Sequence, residues 1–438
     1  TDANGVVHNN VDVAITSNDA AIETAATNAA ETALVAGTGF DTVAALNAAY
    51  VAAVAPDAAA NLTLTSDANR YVEQFTGVSD TVTGAFGTVN AGDIIIDSYT
   101  SDSDVANLVI DTAIAATIVN VETINIDARD NANADQFVVD ALNMSGYDRM
   151  SVDSNYSEVD FLVNDLFDGS TLAFDSTATS ITFNMNRTGA AESHTTSATV
   201  EIGSGTTANF DKGAADDVDA LTINSIGTVA SVLTLDETED YLSTAASPDS
   251  LTVTGSNSIT LVMSQEVTAQ GFDGGAITNS LTGDATLTVR LTDDDAAGDT
   301  ELEAGQIDLT GVNADVIQLD TITINATDLK VASGQVISTR AADDIQGDIL
   351  ITSGTAGGTV TLNLAAGEAN TTTDTIEFVN AGTVNIASTA GAAITYAGTD
   401  ITTSYAGIGN STDLNIETGN GLTLSAAVAA EAGSTLDA

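Results

Sequence analysis

From residue 61 onwards, hydrophobic and polar positions alternate in short runs. Clear examples are DIIIDSYT (93–100), ANLVID (106–111), TIVNVETINIDA (117–128), DQFVVDAL (135–142), SITFNM (180–185), DALTINSI (219–226), ATLTVRLTD (285–293), GTVTLNLA (358–365) and TDLNIETG (412–419). A period of two places one set of side chains on each face of an extended chain, so each run predicts a strand with one apolar face. Gly, Asn, Asp and Ser bound the runs and supply turns. The spacing is short and fairly regular, and no long helical pattern intervenes. That is the pattern of a mostly β chain, built as short-strand β-sandwich or irregular β-solenoid domains. The phrases VETINI, DALTIN, DTITIN, GTVNIA and TDLNIE recur loosely, each ending near Asn, but without a fixed period. Both architectures therefore stay open at this point.

The first 60 residues read differently. Residues 1–18 alternate at Val7, Val11, Val13 and Ile15 and predict an extended arm. Residues 19–60 are Ala-rich with helical spacing, in DAAIETAATNAAETALV (19–35) and FDTVAALNAAYVAAV (40–54). Asp19 suits a cap, and Asp41 lies in a first turn, where a carboxylate meets the positive end of the helix dipole. Gly37 and Gly39 separate the two segments and Pro56 ends the second, which predicts a small helical hairpin. The remainder is expected to form two β-rich domains, 61–245 and 246–438. The chain opens at Thr1 without Met, as expected of a portion of a longer product.

Charge changes the picture most. The chain carries 62 Asp and Glu against 8 Lys and Arg, a formal net charge of -54 on 438 residues. At most 8 of the 62 carboxylates can face a side-chain cation; the rest need hydration, salt or a bound metal. A compact state with that excess repels itself. Hydrophobic content of 43% is enough to build cores, so the acidity does not imply disorder. The balance argues against nucleic acid, whose phosphates would be repelled. No run reaches the roughly 18 apolar residues of a membrane span. Cysteine is absent, which excludes disulfides, thiol catalysis and Cys-based zinc sites.

Loops dense in carboxylates are candidate calcium sites, because calcium takes about six to eight oxygen ligands in flexible geometry. The densest is LTDDDAAGDTELE (291–303), with Asp293, Asp294, Asp295, Asp299, Glu301 and Glu303. DARDNANAD supplies Asp127, Asp130 and Asp135; DSYTSDSD supplies Asp97, Asp102 and Asp104; DDVD supplies Asp216, Asp217 and Asp219. None is an EF-hand, since the required Gly and Glu offsets are missing. The competing explanation is a solvated acidic loop in a salt-adapted protein. Catalysis has little material. His8 sits in the arm and His194 in a polar Ser/Thr stretch, and there is no Trp for a sugar platform. No nucleophile elbow and no phosphate-binding glycine motif occurs, so the chain is not expected to be an enzyme.

The phrase VNVETINIDARDNANADQFVVDAL (119–142), with high Ala, Thr, Gly, Asp and Asn and little Lys, resembles calcium-dependent surface-layer proteins of Gram-negative bacteria, the Caulobacter-type and its RTX-related relatives. The calcium nonapeptide GGxGxDxUx of those families has no clean copy here; QGFDGGAITNSLTGDATLTV (270–289) is a distant echo. The resemblance implies an extracellular, cell-surface structural protein, stabilised by Ca2+ and assembling with copies of itself, with cell-surface polysaccharide reached through calcium. Alternatives are a filament or matrix fibre in which the arm adds a strand to the next subunit, a monomeric adhesin, and a β-helical polysaccharide-acting enzyme.

Overall fold

A computed structural model describes residues 58–72, 74–111, 113–129, 136–154, 159–174, 181–186, 197–211, 220–235, 250–265, 277–293, 301–302, 306–320, 323–324, 328–339, 349–364, 375–388, 394–396, 400–404, 413–416, 422–424, 427–429 and 435–437. The arm expected over 1–18 and nearly all of the hairpin expected over 19–60 lie outside them. The chain divides into two compact units: Thr1–Ala60 with Thr76–Ser79, and Asn61–Phe75 with Asp80–Ala438. Of the first, only 58–60 and 76–79 are described, and they contain no helix or strand.

The second unit is a parallel β-solenoid. Among the described residues it holds four sheets of four or more strands. Sheet 1 has ten strands, from Asn61–Thr63 to Ile277–Leu281; sheet 2 has four, from Arg70–Tyr71 to Met144–Ser145. Sheet 3 has fourteen, from Ala113–Ile114 to Thr435–Asp437, and sheet 4 has six, from Gln306–Leu309 to Ala427–Ala429. The pairings within them are parallel. Parallel neighbours cannot be joined by a tight hairpin, so the chain leaves one sheet, crosses to another and returns one coil further on. Sheet 3 is the longest, ~60 Å at the usual strand spacing. Both main ladders pair across residue 245, at Ala220–Ser225 with Ser250–Gly255 and at Ser231–Leu235 with Ile259–Gln265. The decision between sandwich and solenoid thus falls to the solenoid, because a sandwich would need antiparallel hairpins.

Each strand turns its apolar set inward. In sheet 1 the register stacks Val82, Ala106, Ile124, Met150, Leu172, Val200, Ile223 and Val253 in one column, all buried. In sheet 3, Phe137 and Phe161 stack at 5.6 Å between ring centroids. The outward positions of sheet 1 carry a second column, Thr171, Thr199, Thr222, Thr252 and Thr278. β-Branched side chains fit a pleated surface, and identical neighbours pack well along a ladder.

Polar ladders tie the coils from outside. Asn125 donates to Asn107 at 2.9 Å, and the Ser151 hydroxyl donates to Asn125 at 2.7 Å. Arg149 reaches across a whole coil to Glu201 at 3.0 Å. The intervening outward position is Ala173, buried and small enough for the ion pair to pass over it. Coil length varies. Asn107 and Asn125, 18 residues apart, share a rung, and so do Asn224 and Thr254, 30 residues apart. The ladders keep their register through coils of either length.

Candidate metal centre

Two consecutive strands build the centre. Ile94–Ile96 belongs to sheet 2 and Val105–Ile110 to sheet 1. The loop between them begins at Asp97 and ends at Asp104. Ladder bonds fix both ends. The Asp97 N–H donates to the Val119 carbonyl at 3.0 Å, and its carbonyl accepts from Asn120 Nδ2 at 3.1 Å. Asp104 Oδ1 accepts the Asp80 N–H at 2.7 Å, while the Asp104 N–H donates to Glu122 Oε2 at 2.7 Å. Asp80, Asp104, Glu122 and Asp148 each stand one residue before a strand of sheet 1, so the register stacks four acidic residues along one edge. Like charges this close oppose one another.

The loop folds so that ligand oxygens of Asp97, Asp102 and Asp104 lie within 4.8 Å of one another. Asp97 is 0% exposed and Asp104 1%. Five oxygens there are buried without a hydrogen-bond partner: both of Asp97, both of Asp102, and Oδ2 of Asp104. Asp93, just before the same sheet 2 strand, shows the contrast. It is equally buried, yet its carboxylate accepts from the Asn69 backbone N–H at 2.7 Å, Asn69 Nδ2 at 3.1 Å and the Asn90 backbone N–H at 2.8 Å. Buried carboxylates are ordinarily satisfied in this way or paired with a cation.

The electrostatics follow from that geometry. Burial pushes Asp104 up to about 7; the Asp80 N–H opposes the rise, and the charges of Asp102, Asp97 and Asp80 add to it. Burial also raises Asp97. The N–H groups of Tyr99 and Ser98 pull it down part of the way without closing a bond of good geometry, and Asp102 and Glu122 push it up. A hard cation among these oxygens would reverse the balance, since an adjacent positive charge favours the ionised form of every ligand. The donor set, all carboxylate oxygen on a loop with room to adjust, suits calcium.

Of the other expected ligands, Asp127 is the one whose side chain is described, and it is not part of the cluster. Asp127, in the strand Thr123–Ala128, is half-buried and held by Arg129, with Nη2 at 2.5 Å from Oδ2 and Nε at 2.9 Å. Its Oδ1 is buried without a partner. Asp293 ends the strand Leu287–Asp293 and Glu301 begins Glu301–Leu302. Asp130, Asp135, Asp216, Asp217, Asp219, Asp294, Asp295, Asp299 and Glu303 lie outside the described residues, as do His8 and His194. Sequence reasoning missed Asp80 and Glu122. Their signal was there: an acidic residue immediately before the β-run in DTVTG, DVANL, ETINI and DRMSV. Among the described residues no helix is long and apolar enough to cross a membrane. Comparison of the chain with family models, with curated proteins and with solved structures gives no match.

Proposed function

We propose that the chain is an extracellular structural protein that assembles with copies of itself into a calcium-stabilised surface layer. The observation that carries this reading is the Asp97–Asp102–Asp104 cluster, three carboxylates turned together at a coil corner with five buried oxygens unpartnered. Buried carboxylate oxygens are ordinarily hydrogen-bonded or paired with a cation, so five unpartnered ones in one corner support a bound cation. The net charge of -54 adds weight, because it calls for cations over the whole surface. The stacked coils suit a scaffold: they present long, rigid polar faces. The resemblance around 119–142 supplies the surface-layer part of the reading. Calcium binding to the folded state alone would couple folding to the medium outside the cell.

Negative-stain electron microscopy of the purified chain tests this, with millimolar calcium and then with a chelator at matched ionic strength. Ordered sheets with calcium and dispersed particles without it are expected. Dispersed particles under both conditions would remove assembly as the function. Filaments that disappear on deletion of residues 1–18 would turn the reading to strand addition by the arm.

A further inference from the structure

We propose that Asp97, Asp102 and Asp104 hold one calcium ion wholly inside a single chain, so that this ion is a staple of the fold and not a bridge between molecules. The proposal rests on the calcium reading above and narrows it to one site with one role. A surface layer can use calcium in two ways, between subunits or within them, and burial separates the two. An ion that bridges molecules must sit where both can reach it. With Asp97 0% and Asp104 1% exposed, a second chain has no path to their oxygens. Asp97 is the independent pointer: a fully buried carboxylate whose two oxygens both lack a hydrogen-bond partner and which brings an oxygen into the cluster.

The ligand count fits calcium better than magnesium. Each of the three side chains brings an oxygen within 4.8 Å of the others, and five of their six oxygens are buried without a hydrogen-bond partner, which leaves room for bidentate binding toward the roughly six to eight that calcium takes. Magnesium prefers strict octahedral geometry and keeps several waters, for which a cluster of buried carboxylate oxygens is poorly suited. The ion would close the loop by joining Asp97, at the end of Ile94–Ile96, to Asp104, at the start of Val105–Ile110. Asp104 is itself bonded to the preceding coil through the Asp80 N–H and to the following coil through Glu122. One ion thereby fixes the corner of three successive coils.

The test is calorimetric titration of CaCl2 into the full chain at several protein concentrations, with sedimentation velocity on the same samples. The expected result is one tight site per chain whose affinity does not depend on protein concentration and which fills in the monomer. MgCl2 does not fill it. Asp97→Asn and Asp104→Asn each abolish this site, and the exposed Asp153→Asn leaves it intact. Because the amide variants remove buried charge without changing shape, their melting temperature in chelator should equal or exceed that of the wild type, which shows that they fold. Loss of calcium protection at 97–104 in hydrogen exchange should accompany the loss of the site. A tight site that survives both substitutions overturns the proposal, and so does an affinity that rises with protein concentration as oligomers form. Calcium-dependent sheets that persist in Asp97→Asn would leave the surface-layer reading standing with the staple lost; their absence from the wild type would sink the layer and leave the staple to be judged by titration alone.

Discussion

Asp93 and Asp97 flank the same three-residue strand, are equally buried, and have opposite fates. One is saturated by backbone and side-chain donors; the other has none of good geometry. The difference predicts how the metal-free protein responds to pH. Asp104 is raised to about 7 and Asp97 is raised as well, so the folded state holds protons that the unfolded chain, titrating near the ordinary ~3.9, has released. A raised acid stabilises the fold below its folded value, and that contribution is lost as the pH climbs through it. In chelator, the stability of the wild type should therefore fall by up to ~1.4 kcal/mol per pH unit for Asp104 alone between about pH 4 and pH 7, followed by denaturant titration. Asp104→Asn should flatten that slope; an unchanged slope would mean that other carboxylates set it. The sequence showed the three aspartates as one loop among several. It could not show that these three carboxylates turn inward while the residues between them stay exposed, because burial at a corner depends on which coil covers it.

At the scale of the element, the strands were legible and their arrangement was not. Runs such as VETINI and DALTIN carry a period of two that maps directly onto buried and outward columns. Whether such strands pair as hairpins or as coils depends on the path between them, and rungs separated by 18 to 30 residues give no fixed period to detect. The corners also carry local demands that a period does not reveal. Gly255 closes the strand Ser250–Gly255 at φ 114°, and a Cβ there would stand 2.0 Å from the Ser225 carbonyl oxygen of the preceding coil. A side chain would need both an unfavourable backbone region and a displaced neighbour, of which the backbone part alone costs about 1–3 kcal/mol. Gly255→Ala should therefore lower stability by ~2 kcal/mol or more in chemical denaturation, while Gly283→Ala, with open space around its Cβ position, pays only for its positive φ and should lose less. Equal losses would count against the close approach as the reason for glycine.

At the scale of the molecule, charge and fold address different questions. The excess of acid was plain in the composition, and calcium followed from it as an expectation. The densest acidic run, 291–303, was the favoured site, and most of it lies outside the described residues. The cluster that the described structure does assemble has only three carboxylates, gathered by a fold that returns to the same corner on each coil. If screening of surface repulsion were the whole requirement, any salt would serve, since the Debye length depends on ionic strength and is about 10 Å at 0.1 M. A specific site predicts otherwise. At equal ionic strength, CaCl2 should raise the melting temperature of chelator-treated protein further than NaCl does. Equal melting in the two salts would make halophilic adaptation the sufficient account of the charge.

The parallel stack has one more consequence. In an array where each coil touches chiefly the next, order spreads from neighbour to neighbour, and stability is close to a sum of coil and interface contributions. Coils near Asp97 and Asp104 lie toward the N-terminal end of the described ladder. A corner set by an ion there would act as a template: once its three coils are in register, every later turn has a formed edge to lay its strand against.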